Sequence, residues 1–95
     1  MTDRLQALEL LNQTHQFPTA VMIKIIGTNH PTFVDRVFAA VRIEVTAEIE
    51  LCCSIRETPG GRHVAVTLEP LMRDAEQVLA VYEYLRQVDG VVMLM

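Results

Sequence analysis

The sequence predicts an α+β fold of the ferredoxin-like type, a split βαβ sandwich in which a four-stranded antiparallel sheet carries two helices on one face. The residue pattern indicates an initial helix and then the order strand, helix, strand, strand, helix, strand. The two middle strands alternate between apolar and polar residues and are joined by a Pro-Gly-Gly turn. At 95 residues and 51% hydrophobic content, residues 1–95 suffice for a single domain with a packed core.

The first predicted element is a short extra helix over residues 3–12. Leu5, Leu8 and Leu11 recur there at helical spacing. Because so short a helix is marginal in water by itself, it must dock on the rest of the domain. A polar link then leads to Phe17, where the main body of the fold begins.

The first strand is predicted over residues 20–26, ending at Gly27. It is rich in β-branched residues, and its nearly continuous apolar character favours a central strand covered on both faces. The alternation of side chains along a strand places Lys24 with Met22 and Ile26 on the face away from the helices.

A loop over residues 28–31 leads into the next helix, and Pro31 suits its first turn because an N–H there would have no partner within the helix. The residues that follow form one wide apolar stripe, typical of a helix packed on a sheet. This stripe consists of Phe33, Val34, Val37, Phe38 and Val41.

A long hairpin follows, with strands over residues 47–57 and 62–69 and a turn over residues 58–61. Glycines supply the positive φ angles that such a turn needs. The residues expected to point inward are Ala47, Ile49, Leu51, Cys53 and Ile55 on the first strand and Val64, Val66 and Leu68 on the second.

Asp74 is the predicted N-cap of the last helix, which ends near Arg86, and Gly90 suits a left-handed conformation after it. Residues 91–95 form a short apolar closing strand. In the usual order of this fold, the first and third strands are central and the second and fourth lie at the edges.

Taken together, several of these segments resemble the YbeD-like domain-of-unknown-function family, over Phe17 to Met95. The resemblance rests on Phe17-Pro18, Met22 to Gly27, Gly60-Gly61, Glu76-Gln77 with Tyr82 and Leu85, and Val91 to Leu94. It implies a ferredoxin-like sandwich, a cytoplasmic bacterial protein, and a shape similar to small-molecule-sensing regulatory domains such as ACT domains. The family has been labelled a lipoate regulatory protein without an established activity.

Composition argues against several partners and compartments. A net charge of −4 disfavours electrostatic binding to nucleic acid or to anionic membranes. The N-terminus lacks signal-peptide character, and no apolar run approaches the roughly 20 residues that span a bilayer. The adjacent Cys52 and Cys53 are poorly placed for a structural disulfide or a metal, so free thiols in the cytoplasm are expected.

No catalytic, metal or cofactor constellation is predicted. His15, His30 and His63 lie in separate elements, and Glu48 and Glu50 are expected to be solvated charges on an edge strand. An acylphosphatase-like enzyme would need an arginine in the loop after the first strand, and a metal carrier would need two cysteines there. An RNA-recognition motif would need aromatic residues on the open sheet face.

A candidate ligand site combines Lys24 with the loop that runs into a helix N-terminus, where free N–H groups can bind an anion. Its residues are Lys24, Gly27, Thr28, Asn29 and His30. Alternatively, Lys24 pairs with a carboxylate such as Glu69 across the strands, or holds a solvated ammonium over an apolar stem.

A second candidate is an apolar surface without cover, formed by Met22, Ile26, Val92 and Leu94. Either the N-terminal helix crosses it or another subunit does, and we expect homodimerisation through the sheet face or the edge strand. The predicted role is that of a regulatory or adaptor protein that contacts an unknown protein partner. The alternative is an ACT-like sensor of a small carboxylate or amino acid.

Overall fold

The computed structural model describes residues 2–45 and 53–95. Within these ranges, β2, β4, β3 and β6 form an antiparallel sheet in the order β3-β4-β2-β6, and β1 pairs separately with β5. The predicted α+β fold is confirmed, and so is its strand order. The elements are α1 (Thr2–Thr14), β1 (Thr19–Ala20), β2 (Ile23–Thr28), α2 (Phe33–Glu44), β3 (Cys53–Glu57), β4 (His63–Leu68), β5 (Leu71–Met72), α3 (Ala75–Arg86) and β6 (Val91–Leu94).

The core lies between one face of the four-stranded sheet and the pair of helices α2 and α3. Val64, Val66 and Leu68 of β4 are buried, as their alternation predicted. Each such side chain contributes about 1.5–3 kcal/mol to stability when it is fully buried. Facing them from the helices are Phe33, Val37, Val41, Val78, Val81 and Leu85.

The first central strand differs from its prediction at both ends. It begins at Ile23 and continues to Thr28, because residues 19–20 pair instead with β5. Gly27 is therefore inside β2, where a side chain on it would overlap the ring of Phe33 and approach the Gly90 oxygen to 2.8 Å. The expectation that this strand is covered on both faces is wrong, since Lys24 is exposed.

The described part of the hairpin confirms the turn but not the burial of its first strand. Gly60 and Gly61 have φ angles of 91° and 71°. Ile55 pairs with Val66 and shares its face, yet it is 50% exposed. The reason is that β3 lies at the edge of the sheet, where Ile55 has cover on only part of its surface. The predicted strand over residues 47–52, including Glu48, Glu50 and Cys52, lies outside the described residues.

The predictions for the ends of the two sheet-packed helices are confirmed at two positions and wrong at one. Asp74 caps α3 as predicted, accepting a 2.8 Å hydrogen bond from the N–H of Gln77, and that bond lowers the pKa of the carboxyl. Gly90 has the expected positive φ, at 93°. The placement of Pro31 in the first turn of α2 is wrong, because Thr32 is the cap residue and Pro31 precedes it.

The N-terminal helix forms as predicted and packs against α3. The Arg4 guanidinium lies 2.9 Å from the Glu83 carboxylate, and Leu11 contacts the core. Leu5 and Leu10 remain exposed. Of the helices in the described residues, none has the length and apolar content needed to cross a membrane. The helix thus covers a flank of the helical layer and leaves the other side of the sheet open.

Candidate functional site

The sheet face opposite the helices carries apolar side chains that no described element covers. We call this surface the open face. Three methionines are prominent on it: Met22 is 60% exposed, Met93 49% and Met95 54%. The strand register and the shared hollow assign to this open face Met22, Lys24, Ile26, Thr28, Ser54, Arg56, His63, Ala65, Thr67, Met93 and Met95.

Strand pairing brings these side chains into rows, because directly paired residues of antiparallel strands point to the same face. Ile26 of β2 pairs with Ala65 on one side and with Met93 on the other. Lys24 pairs with Thr67, and it exchanges two backbone hydrogen bonds with Met95, at 2.9 and 2.8 Å. The result is an apolar stripe that runs across β4, β2 and β6.

One of the four residues predicted for the uncovered surface, Leu94, lies elsewhere. Leu94 pairs with Ile25, which places it on the helix side, where it packs against the core. Val92 lies where the register between β2 and β6 shifts, and it is exposed at the edge. This shift makes Met93 rather than Leu94 the partner of Ile26. Simple alternation along the closing strand could not reveal it.

Among the described residues, Lys24 has methionines rather than carboxylates as its neighbours on this face. With Met22 and Met95 it lines a shallow hollow of 250 Å³. The expected pairing with Glu69 is not observed, since Lys24 faces Thr67 and makes no ion pair with any described residue. An ammonium group above apolar stems can bind a carboxylate while the stems stay packed. The open face therefore suits an apolar partner that carries a negative charge.

A separate crevice of 590 Å³ lies at the start of α2, lined by Thr28, His30, Thr32, Arg36, Asp89 and Gly90. Arg36 holds two sides of it together. Its guanidinium donates a 2.6 Å hydrogen bond to the Asp89 carbonyl oxygen and a 3.3 Å bond to the Thr32 hydroxyl. The side chain thus joins α2 to the loop before β6.

His30 supports the start of α2 from the same crevice. Its Nδ1 accepts a hydrogen bond from the N–H of Thr32 at 3.2 Å and lies 3.0 Å from the Thr32 hydroxyl. The Thr32 side chain itself makes no capping bond to the helix. His30 therefore satisfies one of the free N–H groups that a helix start leaves without a partner.

The five residues predicted to bind a ligand do not come together. Thr28 and His30 line the crevice, but Gly27 is buried beneath the Phe33 ring. Asn29 turns away, donating hydrogen bonds to the Glu57 carboxylate at 3.1 Å and to the Gly61 oxygen at 2.9 Å. Lys24 lies four residues along the strand from Thr28, roughly 13 Å away, on the open face.

Sequence reasoning missed Arg36, which lies outside the apolar stripe predicted for its helix. The available signal was its position one turn after Thr32, at the N-terminal end of α2. With a guanidinium, an imidazole and threonine hydroxyls around it, the crevice can accommodate a small carboxylate or another anion. No cluster of metal-binding side chains forms within residues 2–45 and 53–95.

Beyond Arg36 and Asp89 the crevice adjoins a more apolar groove of 460 Å³ between α2 and α3. Both residues line the two cavities, so the polar crevice and the apolar groove share a boundary. The apolar part of the groove is formed by Ala39, Ala40, Ile43, Tyr84 and Val88. A ligand that places an anionic head in the crevice and an apolar tail in the groove would fit these two adjoining cavities.

Comparisons with solved structures support the fold. The chain is similar to the ACT domain from GTP pyrophosphokinase of Chlorobium tepidum, with a TM-score of 0.60 and 13% sequence identity. The match covers 81% of this chain and 95% of that domain. At such an identity, the likeness shows the shared fold alone.

Comparisons with protein families identify the chain's relatives. It is 30% identical over 67 residues to a UPF0250 protein of Chromobacterium violaceum. The aligned region covers 70% of this chain and 75% of that protein. The family model described as "Protein of unknown function (DUF493)" matches residues 12–95. The resemblance deduced from the sequence is thereby confirmed: the chain belongs to the DUF493 family, that of the YbeD and UPF0250 proteins.

Proposed function

We propose that this protein is a small cytoplasmic regulatory or adaptor protein that acts through protein contacts of its open face and catalyses no reaction itself. One observation carries the proposal. Met22, Met93 and Met95 are each about half exposed or more, around a lysine without an ionic partner among the described residues. A soluble protein rarely leaves a continuous apolar patch open unless something binds there.

The side chains of this patch suit contact with a protein. Methionine is flexible and polarizable, so it adapts to differently shaped apolar partners. Lys24 adds a positive charge at the centre of the patch, in a chain whose net charge is −4. A partner that presents apolar side chains beside a carboxylate would bury the methionines and also pair the lysine.

The position of α1 supports the same proposal. A helix laid across the sheet would have made the open face part of the core. Instead α1 packs against α3 on the other side of the molecule. The open face is thus left available to a second molecule.

The test is affinity capture from cell lysate, comparing the unaltered protein with Met22→Glu and Leu10→Glu. The two positions are matched, since Met22 is 60% exposed and Leu10, on α1, is 62% exposed. We expect Met22→Glu to lose the captured protein and Leu10→Glu to retain it. Equal capture by both variants, with unchanged melting temperatures, would show that the open face does not bind the partner.

A second candidate function is ACT-like sensing of a small molecule in the crevice. Arg36 favours it, because it presents a guanidinium at the boundary between a polar crevice and an apolar groove. The ligand would be a small carboxylate, including an amino acid or a carboxylate with an apolar tail. In the Chlorobium tepidum protein, the same fold is a domain of a larger enzyme.

A thermal-shift screen of amino acids, lipoate and nucleotides tests this candidate. A ligand that binds only the folded protein stabilises it by about 2.7 kcal/mol at 100 times its Kd. We expect the shift to disappear in Arg36→Ala and to persist in Arg42→Ala, a control on the same helix outside the crevice. A shift that survives Arg36→Ala would place the ligand elsewhere, and a screen without any shift would argue against sensing.

A further inference from the structure

The two edges of the four-stranded sheet differ in how well they are protected against pairing with a strand of another chain. The described residues of β3, at one edge, include the exposed and charged Arg56 and Glu57. At the other edge, β6 consists of Val91–Leu94 and contains neither a charge nor a proline. Soluble proteins commonly place charges or prolines on edge strands to prevent pairing with another chain. Of the two, only β6 lacks this protection.

Backbone groups at the β6 edge are available for pairing. Met95 and Lys24 donate hydrogen bonds to each other's carbonyl oxygens, so both polar groups of Met95 point toward β2. In an antiparallel pair, successive residues alternate between pointing toward the partner strand and pointing away. The N–H and carbonyl of Leu94 therefore point outward from the sheet, toward whatever lies beside β6.

The register shift limits where a new strand can pair. It occurs between Ile26 and Gly27, where Val91 and Val92 lie against β2. Such an irregularity bends the strand locally and disrupts regular pairing at that point. The regular part of the edge is thus residues 93–95, with the outward-pointing groups of Leu94 at its centre.

We infer that a second copy of this chain occupies the edge, its β6 antiparallel to the first and related by a two-fold axis beside Leu94. The N–H of each Leu94 donates to the carbonyl of the partner's Leu94, and Met93 lies beside the partner's Met95. This register is self-complementary, as a two-fold interface requires. Residues 91–95 carry no charged side chain, so no repulsion between side-chain charges opposes the pairing.

The joined sheets form one eight-stranded sheet, because each copy contributes four strands. A two-fold axis perpendicular to the sheet keeps both open faces on the same side. Met93 and Met95 of the two copies then meet at the junction and merge two small apolar patches into one. This part of the inference rests on the proposed function, because the merged apolar patch is the surface that we propose binds a protein partner.

Amide hydrogen exchange by NMR, in a dilution series of the full chain, tests the pairing directly. We expect protection of the Leu94 amide to rise with concentration, in step with the dimer fraction from sedimentation equilibrium. The Met95 amide, bonded to Lys24 within one copy, is the internal control and stays protected throughout. A monomer at high micromolar concentration, or a dimer with an unprotected Leu94 amide, would overturn the inference.

Substitution at the edge separates this inference from the proposed function. Met93→Lys places a hydrated charge at the apolar junction, while Leu10→Lys places the same charge on α1. We expect Met93→Lys to weaken self-association at least tenfold and Leu10→Lys to leave it unchanged. Dimerisation that survives Met93→Lys but is lost in Met22→Glu would indicate face-to-face association and refute edge pairing. Partner capture that fails in Met22→Glu while self-association persists would still support the adaptor role.

Discussion

Met93 lies directly opposite Ile26 where β6 pairs with β2, on the sheet face that the helices leave uncovered. The pairing of Ile26 with Ala65 on its other side extends this row into the centre of the sheet. A continuous apolar row that is left open to solvent is typical of a surface that binds a partner. The N-terminal helix α1 provides no cover for this row, because it packs against α3.

Gly27→Ala should destabilise the fold. A Cβ at this position overlaps the Phe33 ring and lies 2.8 Å from the Gly90 oxygen. Overpacking of this kind costs about 1–3 kcal/mol. Urea denaturation would measure the loss. In the Phe33→Leu background the same change should cost less, because the smaller side chain relieves the overlap, and equal costs in both backgrounds would refute the explanation.

Asp74→Ala should remove the N-cap of α3 and lower the free energy of unfolding at neutral pH by about 1 kcal/mol. The hydrogen bond from Gln77 lowers the pKa of Asp74 in the folded protein. The stabilisation is therefore complete above the unfolded pKa, about 3.9 for aspartate. This stabilisation is lost as the pH falls through the lower pKa that Asp74 has in the folded protein. Urea titrations from pH 7 to pH 3 should show the two proteins converging in acid.

Gln77→Ala should cost about 1–3 kcal/mol, because two backbone groups lose the hydrogen bonds that this side chain supplies. The Gln77 amide donates to the Glu44 oxygen at 3.0 Å and accepts from the N–H of Arg73 at 2.6 Å. It thereby links the end of α2 to the start of α3. The neighbouring exposed residue offers a control, as Glu76→Ala should change the unfolding free energy by no more than about 0.5 kcal/mol.

Leu11→Ala and Leu10→Ala should separate the buried side of α1 from its exposed side. Leu11 packs against the core, whereas Leu10 is 62% exposed. A fully buried leucine loses about 2–5 kcal/mol on truncation to alanine, so the half-buried Leu11 should lose less and Leu10 almost nothing. Thermal melts of the two variants provide the comparison. Equal losses would mean that α1 does not dock through Leu11.

The sequence was most informative where a local rule and the packing agree. The alternation of Val64, Val66 and Leu68, the cap at Asp74 and the turn at Gly60 all follow from short-range geometry. The strand order followed because the element order admits few arrangements. Burial of Ile55 was mispredicted because alternation indicates which face a residue shares, and not whether a helix reaches that face.

The candidate sites were harder to predict because both depend on contacts between distant segments. Arg36 reaches the loop before β6, at Asp89, and nothing near it in sequence indicates that contact. Asn29 was placed in the ligand loop, but it bonds across to the hairpin at Gly61. Met93 lies on the open face where Leu94 was predicted, because of a register shift that alternation alone does not reveal.

Oxidation footprinting of the methionines tests the proposed protein contact most directly. Dilute hydrogen peroxide would be applied to the purified protein and to cells that contain it, followed by mass spectrometry of each methionine. Met72 is fully buried and should oxidise slowly in both samples, which makes it the internal reference. The account predicts that Met22, Met93 and Met95 oxidise markedly more slowly in cells than in the dilute purified protein. Oxidation of all three at the same rate in both samples, relative to Met72, would contradict it.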